Sequence, residues 1–256
     1  MAPPSQWTPA QLHQALASRA DRVVGERLRV LDRAGTPVTC RAGCAACCRQ
    51  LVVISPLEAL AISDYVAARP ELRARVEARV VALRERVAAE PALAAAFAAF
   101  DAVGGYVSPA AGDALERAYW AMQAACPFLE EERCAIYPAR PFACREHFVI
   151  SEPRLCAEDL DRVTPAGTRQ EARAVAALVG EAFGLEDRLL WLVEALEYAA
   201  VHAPPEHAAV DADAGRRALE QGLARAGEAM AQLHRDPTGQ VGSGESRSSP
   251  RGAINR

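Results

Sequence analysis

No lysine occurs among the 256 residues, and all 29 basic side chains are arginine. That removes lysine nucleophiles, lysine bases and Schiff-base chemistry from consideration. Aromatic residues are scarce at 5%, while alanine is abundant, a balance that favours helices. No run of about 18 apolar residues is present, so no membrane span is expected. Met1 is followed by Ala-Pro-Pro-Ser-Gln-Trp, with neither a basic start nor an apolar stretch. No export signal is therefore expected, and the predicted compartment is the cytoplasm. A net charge of −4 gives no reason to expect nucleic acid as a partner. The sequence also lacks a Gly-rich phosphate loop, a nucleophile elbow, and any His-x-x-His or His-Glu-x-x-His pair. Cysteine is missing from the first 39 and the last 100 residues.

Between those limits lie eight cysteines in two blocks. Cys40, Cys44, Cys47 and Cys48 form the first; Cys126, Cys134, Cys144 and Cys156 form the second. Small core thiols would scatter, whereas a metal ion or an iron–sulfur cluster needs several thiolates to converge. All eight are candidate ligands. They could furnish two four-ligand zinc sites, hold one Fe–S cluster, or leave some thiols unliganded. Neighbouring side chains diverge, so Cys47 and Cys48 suit two nearby metals, or one ligand beside one packed thiol. The Cys44-x2-Cys47 spacing suits a knuckle whose backbone amides point at sulfur. We expect Cys44, Cys47, Cys134 and Cys144 to bring the two blocks together at one centre.

An all-thiolate site carries excess negative charge, which Arg140 and Arg145 could offset locally. For Arg41 and Arg49 a solvated surface role is an equally good reading. His147 is an alternative ligand. His13, His202, His207 and His234 read as surface histidines. A secreted disulfide framework would need a small chain and an export signal.

The run C-x3-C-x2-C-C, followed by C-P-F-L…C-A-I-Y-P-x-R-P-x-x-C-R, resembles the YkgJ-type CxxCxxCC cysteine-cluster family. Its members are described as zinc- or iron-chelating proteins, and the family includes flagellin lysine N-methylases. The resemblance covers roughly 40–150, with a first spacer of three residues where two are commoner. Cys126, Cys134, Ile136-Tyr137, Arg140-Pro141 and Cys144-Arg145 fall in family order. The resemblance implies metal binding, and its pattern also carries a glutamate after the Cys-Cys pair.

The rest of the chain reads as helix. Thr8-Pro9 opens a first helix with Leu12, Leu16, Val23, Val24, Leu28 and Leu31 on one stripe, ended by Gly35. Leu51–Ile54 is a short apolar run. Ser55-Pro56-Leu57-Glu58 forms a capping box for a helix that stops before Pro70. Arginine-rich Glu71–Glu90, an alanine-rich turn from Pro91 to Gly104-Gly105, and a helix from Ser108-Pro109 follow. Residues 126–163 lack any sustained helical period and read as an ordered irregular loop, which a metal centre would hold. Thr168–Phe183, Leu185–Val201 and a stretch from Asp213 to His234 are expected to be helical. Residues 236–256 have the composition of a disordered tail.

The expected architecture is all-α: one helical domain over 8–235, wrapped around an irregular cysteine-rich metal-binding loop region with its core motif at 40–156. The expected function is metal binding through a cysteine-ligated zinc or iron centre, an iron–sulfur cluster included. The alternatives are an S-adenosylmethionine-dependent protein lysine N-methyltransferase of the flagellin methylase type, and a thiol redox or interaction module built on Cys47-Cys48.

Overall fold

Proline occupies the first turn of each of five successive helices in the computed structural model, which describes residues 6–166, 185–202, 210–211 and positions 217, 220, 221 and 224. These are α1 (Pro9–Arg33), α2 (Pro56–Ala67), α3 (Pro70–Ala88), α4 (Pro91–Ala102) and α5 (Pro109–Ala121). There the missing N–H costs nothing and the fixed φ is already helical. Thr8 and Ser55 complete reciprocal capping boxes with Gln11 and Glu58, and Ser108 caps α5. Two one-turn helices, α6 (Phe142–Arg145) and α7 (Leu155–Glu158), lie in the cysteine region. Helix α8 (Ala195–His202) follows it. The described fold is helical, with strands of two residues only. No helix among the described residues is long and apolar enough to cross a membrane.

Helix α2 is the axis. Every residue from Pro56 to Ile62 is buried, as expected of a helix apolar all round. It packs against α1 on one side and α8 on another. Helix α1 presents Leu12, His13, Leu16, Ala17, Ala20 and Val24 to the core. Its stripe stops there: Val23 is exposed, and Leu28 and Leu31 are only half-buried. The surface assignment of His13 is corrected, since it is 3% exposed and its ring lies 4.9 Å from that of Phe142.

Two short extended runs separate two apolar clusters. Strands β1 (Gln6–Trp7) and β6 (Val210–Asp211) pair with each other, and β3 (Leu129–Glu130) with β4 (Arg133–Cys134). The pair that organises the core is β2 (Val53–Ile54) with β5 (Leu190–Trp191), antiparallel and extended by Leu192 N–H donating to Val52 O. Along both runs the side chains alternate. Val52, Ile54, Leu190 and Leu192 join α2, α3, Phe128 and Ile136 in one cluster. Leu51, Val53, Trp191 and Val193 join α4, α5 and the end of α3 in the other. Trp191 stacks on Phe97 with centroids 4.3 Å apart. Each fully buried Leu, Ile or Phe here contributes about 1.5–3 kcal/mol.

This wall corrects the expectation of one helix over Leu185–Val201. Leu189, Leu192, Val193 and Leu196 do fall at helical spacing, but Leu190–Val193 must feed two clusters from opposite faces, which only a period of two achieves. The helix begins at Ala195. The expected helix at Thr168–Phe183, most of that at Asp213–His234, and the tail at 236–256 lie outside the described residues.

Gly105 closes the α4–α5 turn at φ +82°, and a Cβ there would meet Leu189 Cβ at 2.6 Å and Leu189 O at 2.7 Å. Both are packed atoms, and Leu189 N–H donates to Gly104 O. We predict that Gly105→Ala lowers stability by at least about 2 kcal/mol, from backbone strain plus overpacking. Urea unfolding followed by circular dichroism checks this; a loss under about 0.5 kcal/mol would mean the turn yields freely.

Candidate metal centre

The first cysteine block is a string of tight turns. Cys44 N–H donates to Arg41 O, Cys48 N–H to Ala45 O, and Gln50 N–H to Cys47 O. Gly43 makes the first of them possible at φ +80°. These turns end directly at β2, so the Cys47–Cys48 pair is carried on the wall between the two clusters.

The second block docks onto the first through backbone. Cys126 N–H donates to Cys48 O at 2.8 Å. A two-residue turn, Glu131-Glu132, then reverses the chain with both residues at positive φ. It forms the β3–β4 hairpin, which sets Cys134 opposite Leu129. Phe128 N–H points at the Cys126 sulfur and Ile136 N–H at the Cys134 sulfur. Each is an amide two residues past its cysteine, the arrangement that stabilises a thiolate.

Cys144 rides on α6, and that one-turn helix is tied down from outside. Glu58 Oε1 accepts from Phe142 N–H at 2.8 Å, while Oε2 accepts from Ser55 N–H and from the Ser55 hydroxyl, both at 2.8 Å. Arg145 is 4% exposed; its Nη1 donates to both Asp21 carboxylate oxygens at 2.8 and 2.7 Å, and its Nη2 to Pro138 O at 2.9 Å. Arg140 lies over the Tyr137 ring at 3.8 Å. His13 sits beneath this layer, with Nε2 lacking a hydrogen-bond partner, and burial followed by the Arg145 charge lowers its pKa to about 4. Of the arginines singled out in the sequence, Arg140 and Arg145 are built into the loop. Arg49 donates to Ala45 O and pairs with Glu132, and Arg41 is exposed.

Cys156, on α7, is the one cysteine fully buried. Its carbonyl accepts from Trp120 Nε1 and Gln50 Nε2, and its sulfur lies 3.8 Å from His147 Nε2. Cys40 Sγ accepts from Val149 N–H at 3.4 Å. None of the eight cysteines is in a disulfide.

The electrostatics show the two blocks within reach of one another. Burial raises the Cys144 thiol far above its ordinary range, and the charges of Cys126, Cys47 and Cys134 raise it further. Burial pushes Cys126 and Cys156 up to about 12. Cys48 donates a hydrogen bond to Cys47, which brings Cys47 down to about 7 and drives Cys48 up. Among the described residues, no three His, Cys, Asp or Glu side chains are posed to hold an ion as they stand. The donor set nevertheless fits a thiophilic metal: eight free thiols in one partly dry region, with backbone amides aimed at sulfur.

Two features escaped the sequence reading. Asp21, the partner of Arg145, sits on a helix face with no local signal. The second role of Glu58, receiving Phe142 N–H, requires a residue 84 positions away. A separate cleft of about 550 Å³ is lined by Arg84, Phe97, Asp101, Trp191, Glu194 and Tyr198 among others, and by none of the cysteines.

Comparison with protein families matches residues 39–161 to the CxxCxxCC family, described as "Putative zinc- or iron-chelating domain". The matched span takes in all eight cysteines, from Cys40 to Cys156. No curated protein and no solved structure matches the chain.

Glu58→Gln would turn one carboxylate oxygen into an NH2 group facing the N–H of Phe142 or Ser55, inside a site closed to water. We expect a loss of about 2–4 kcal/mol, the cost of unmatched buried donors plus a lost charge-assisted bond. Denaturant titration of the variant measures it, and a change under about 0.5 kcal/mol would remove Glu58 from its role as anchor.

Proposed function

We propose, on the match of residues 39–161 to the CxxCxxCC family of zinc- or iron-chelating domains, that the protein binds zinc or iron through the thiolates of Cys40, Cys44, Cys47, Cys48, Cys126, Cys134, Cys144 and Cys156, and that binding fixes the irregular region 126–156. One observation carries this reading: the two blocks, far apart in sequence, meet at the Cys126 N–H to Cys48 O bond, and their thiols raise one another's pKa. A thiophilic cation supplies the charge that holds such thiols deprotonated, and its binding energy adds to folding energy. The chain does the rest. Turns 41–50 present Cys44, Cys47 and Cys48, the hairpin presents Cys134, and Glu58 with Arg145 holds α6 so that Cys144 stays in place. Free thiols in this number suit a reducing compartment such as the cytosol.

A second reading, methyl transfer from S-adenosylmethionine to protein lysine, has the 550 Å³ cleft in its favour, a volume within the range of small-molecule sites. Calorimetric titration with that cofactor decides between them: heat of binding supports the transferase, and its absence leaves metal binding alone.

Elemental analysis of anaerobically purified protein, with a visible spectrum, tests the proposal. Zinc gives metal without colour, and an iron–sulfur cluster gives iron with broad absorption near roughly 400 nm. Protein without either metal, and unable to take up zinc or iron when reduced, would overturn it. Cys144→Ser should lose metal, keep its far-ultraviolet helical signal, and gain protease cleavage between 126 and 163. Full metal loss with unchanged protease resistance would mean that the centre does not hold the loop.

A further inference from the structure

We propose that the cleft between α4 and α8, which no cysteine lines, binds an organic cation: a substituted ammonium group on an apolar body, received by Asp101 and Glu194 above an aromatic floor. The inference rests on neither reading of the preceding subsection.

The cleft is made of packed parts. Its volume of about 550 Å³ suits a small molecule. Phe97 on α4, Trp191 on β5 and Tyr198 on α8 line it, and all three are buried. Trp191 is held between the stacked ring of Phe97 and the edge-on ring of Tyr119, whose centroid lies 5.5 Å away. Tyr198 stacks on His202 at 4.3 Å. Such a floor is set before any ligand arrives. At the rim, Val201 leaves 73% of its surface to water beside these rings.

The charges around the floor do not balance. Arg84 Nη2 pairs with Glu197 Oε2 at 2.5 Å, and Arg188 Nη1 lies 3.6 Å from Glu186 Oε2. Asp101 and Glu194 are left over: among the described residues neither joins an ion pair, and the hydrogen bond that Glu194 accepts comes from Trp191 N–H at 2.8 Å. That bond keeps the Glu194 carboxylate beside the Trp191 ring. The two guanidiniums thus stand among four carboxylates, Asp101, Glu186, Glu194 and Glu197. An anionic ligand would have to take Arg84 or Arg188 from its existing partner, whereas a cation finds two carboxylates open. Burial raises the pKa of both Asp101 and Glu194, and the charge of Asp101 raises Glu194 further, so a positive group between them relieves each. No third donor among the described residues joins them to hold a metal ion. The aromatic floor instead suits a cation with a hydrocarbon body, which gains from ring faces and carboxylates together.

The test uses the full chain at low salt and near-neutral pH, with benzyltrimethylammonium, benzyl alcohol and benzoate as probes of like ring and differing charge. Calorimetric titration and saturation-transfer NMR read binding. The cation should bind at least about fivefold tighter than the alcohol or the anion. Asp101→Asn, an exposed position on α4, should weaken the cation by about two- to fivefold with an unchanged far-ultraviolet spectrum. Added salt should weaken it too. Glu71→Gln, at the far end of α3 from Arg84, should leave it unchanged. Equal binding of cation and alcohol would make the cleft an apolar surface only and overturn the proposal. Tighter binding of benzoate would assign the cleft to its arginines and overturn it as well. So would a cation that does not bind, or one that binds Asp101→Asn as well as the wild-type chain, since it would then sit elsewhere, the cysteine region included. The comparison of probes on the wild-type chain needs no variant. A quaternary ammonium has no lone pair to give a metal, so failure here leaves thiolate metal binding in place.

Discussion

The carboxylate of Glu58, closed to solvent at the start of the central helix, is the contact on which the cysteine region depends. With one oxygen it satisfies the cap of its own helix, and with the other it receives the first N–H of the short helix that carries Cys144. A one-turn helix has no stability of its own, because nucleation fixes several residues for a single hydrogen bond. Its place is therefore set from outside, by Glu58 at one end and by the Arg145–Asp21 pair at the other. Burying the charges of Glu58 and Arg145 is tolerable only because each has several partners. Removing Asp21 would leave the buried Arg145 guanidinium without its carboxylate, whereas Asp21 itself is exposed.

That anchoring links the helical scaffold to the chemistry. The wall of β2 and β5 divides the apolar interior into two clusters, and the first cysteine block is spliced directly onto the end of the wall. Helix α1 supplies Asp21 and packs His13 against Phe142. Thus the rigid elements position the thiols, and the segment between Cys126 and Cys156 adds its own hairpin and short turns to the contacts they provide. Two of the thiols receive amides two residues ahead in their own loops, at Cys126 and Cys134. Arg140 lies close enough for its charge to favour the Cys134 thiolate. Burial outweighs these contributions and raises both thiols, so it is a bound cation that would hold them as thiolates.

What could be read from the chain was local. Proline at the first turn, the Thr8 and Ser55 caps, and the clustering of cysteines each express a rule spanning a few residues, and each is found in the fold. What escaped depends on partners remote in sequence. His13 looked like a surface residue because nothing within its helix shows that Phe142 will cover it. Leu190–Val193 looked helical because the spacing of its apolar residues fits both periods, and only pairing with Val53–Ile54 selects the extended one. Asp21 could not be distinguished from any other helix-surface carboxylate. The two cysteine blocks were visible as blocks, while their relation to each other rests on bonds such as Cys126 N–H to Cys48 O that no spacing encodes.

The central claim is that sulfur, supplied by both blocks, surrounds the metal. X-ray absorption at the zinc edge of the loaded full-length chain addresses it most directly. The account predicts a nearest shell dominated by sulfur at about 2.3 Å. A shell dominated by nitrogen or oxygen at about 2.0–2.1 Å would contradict it.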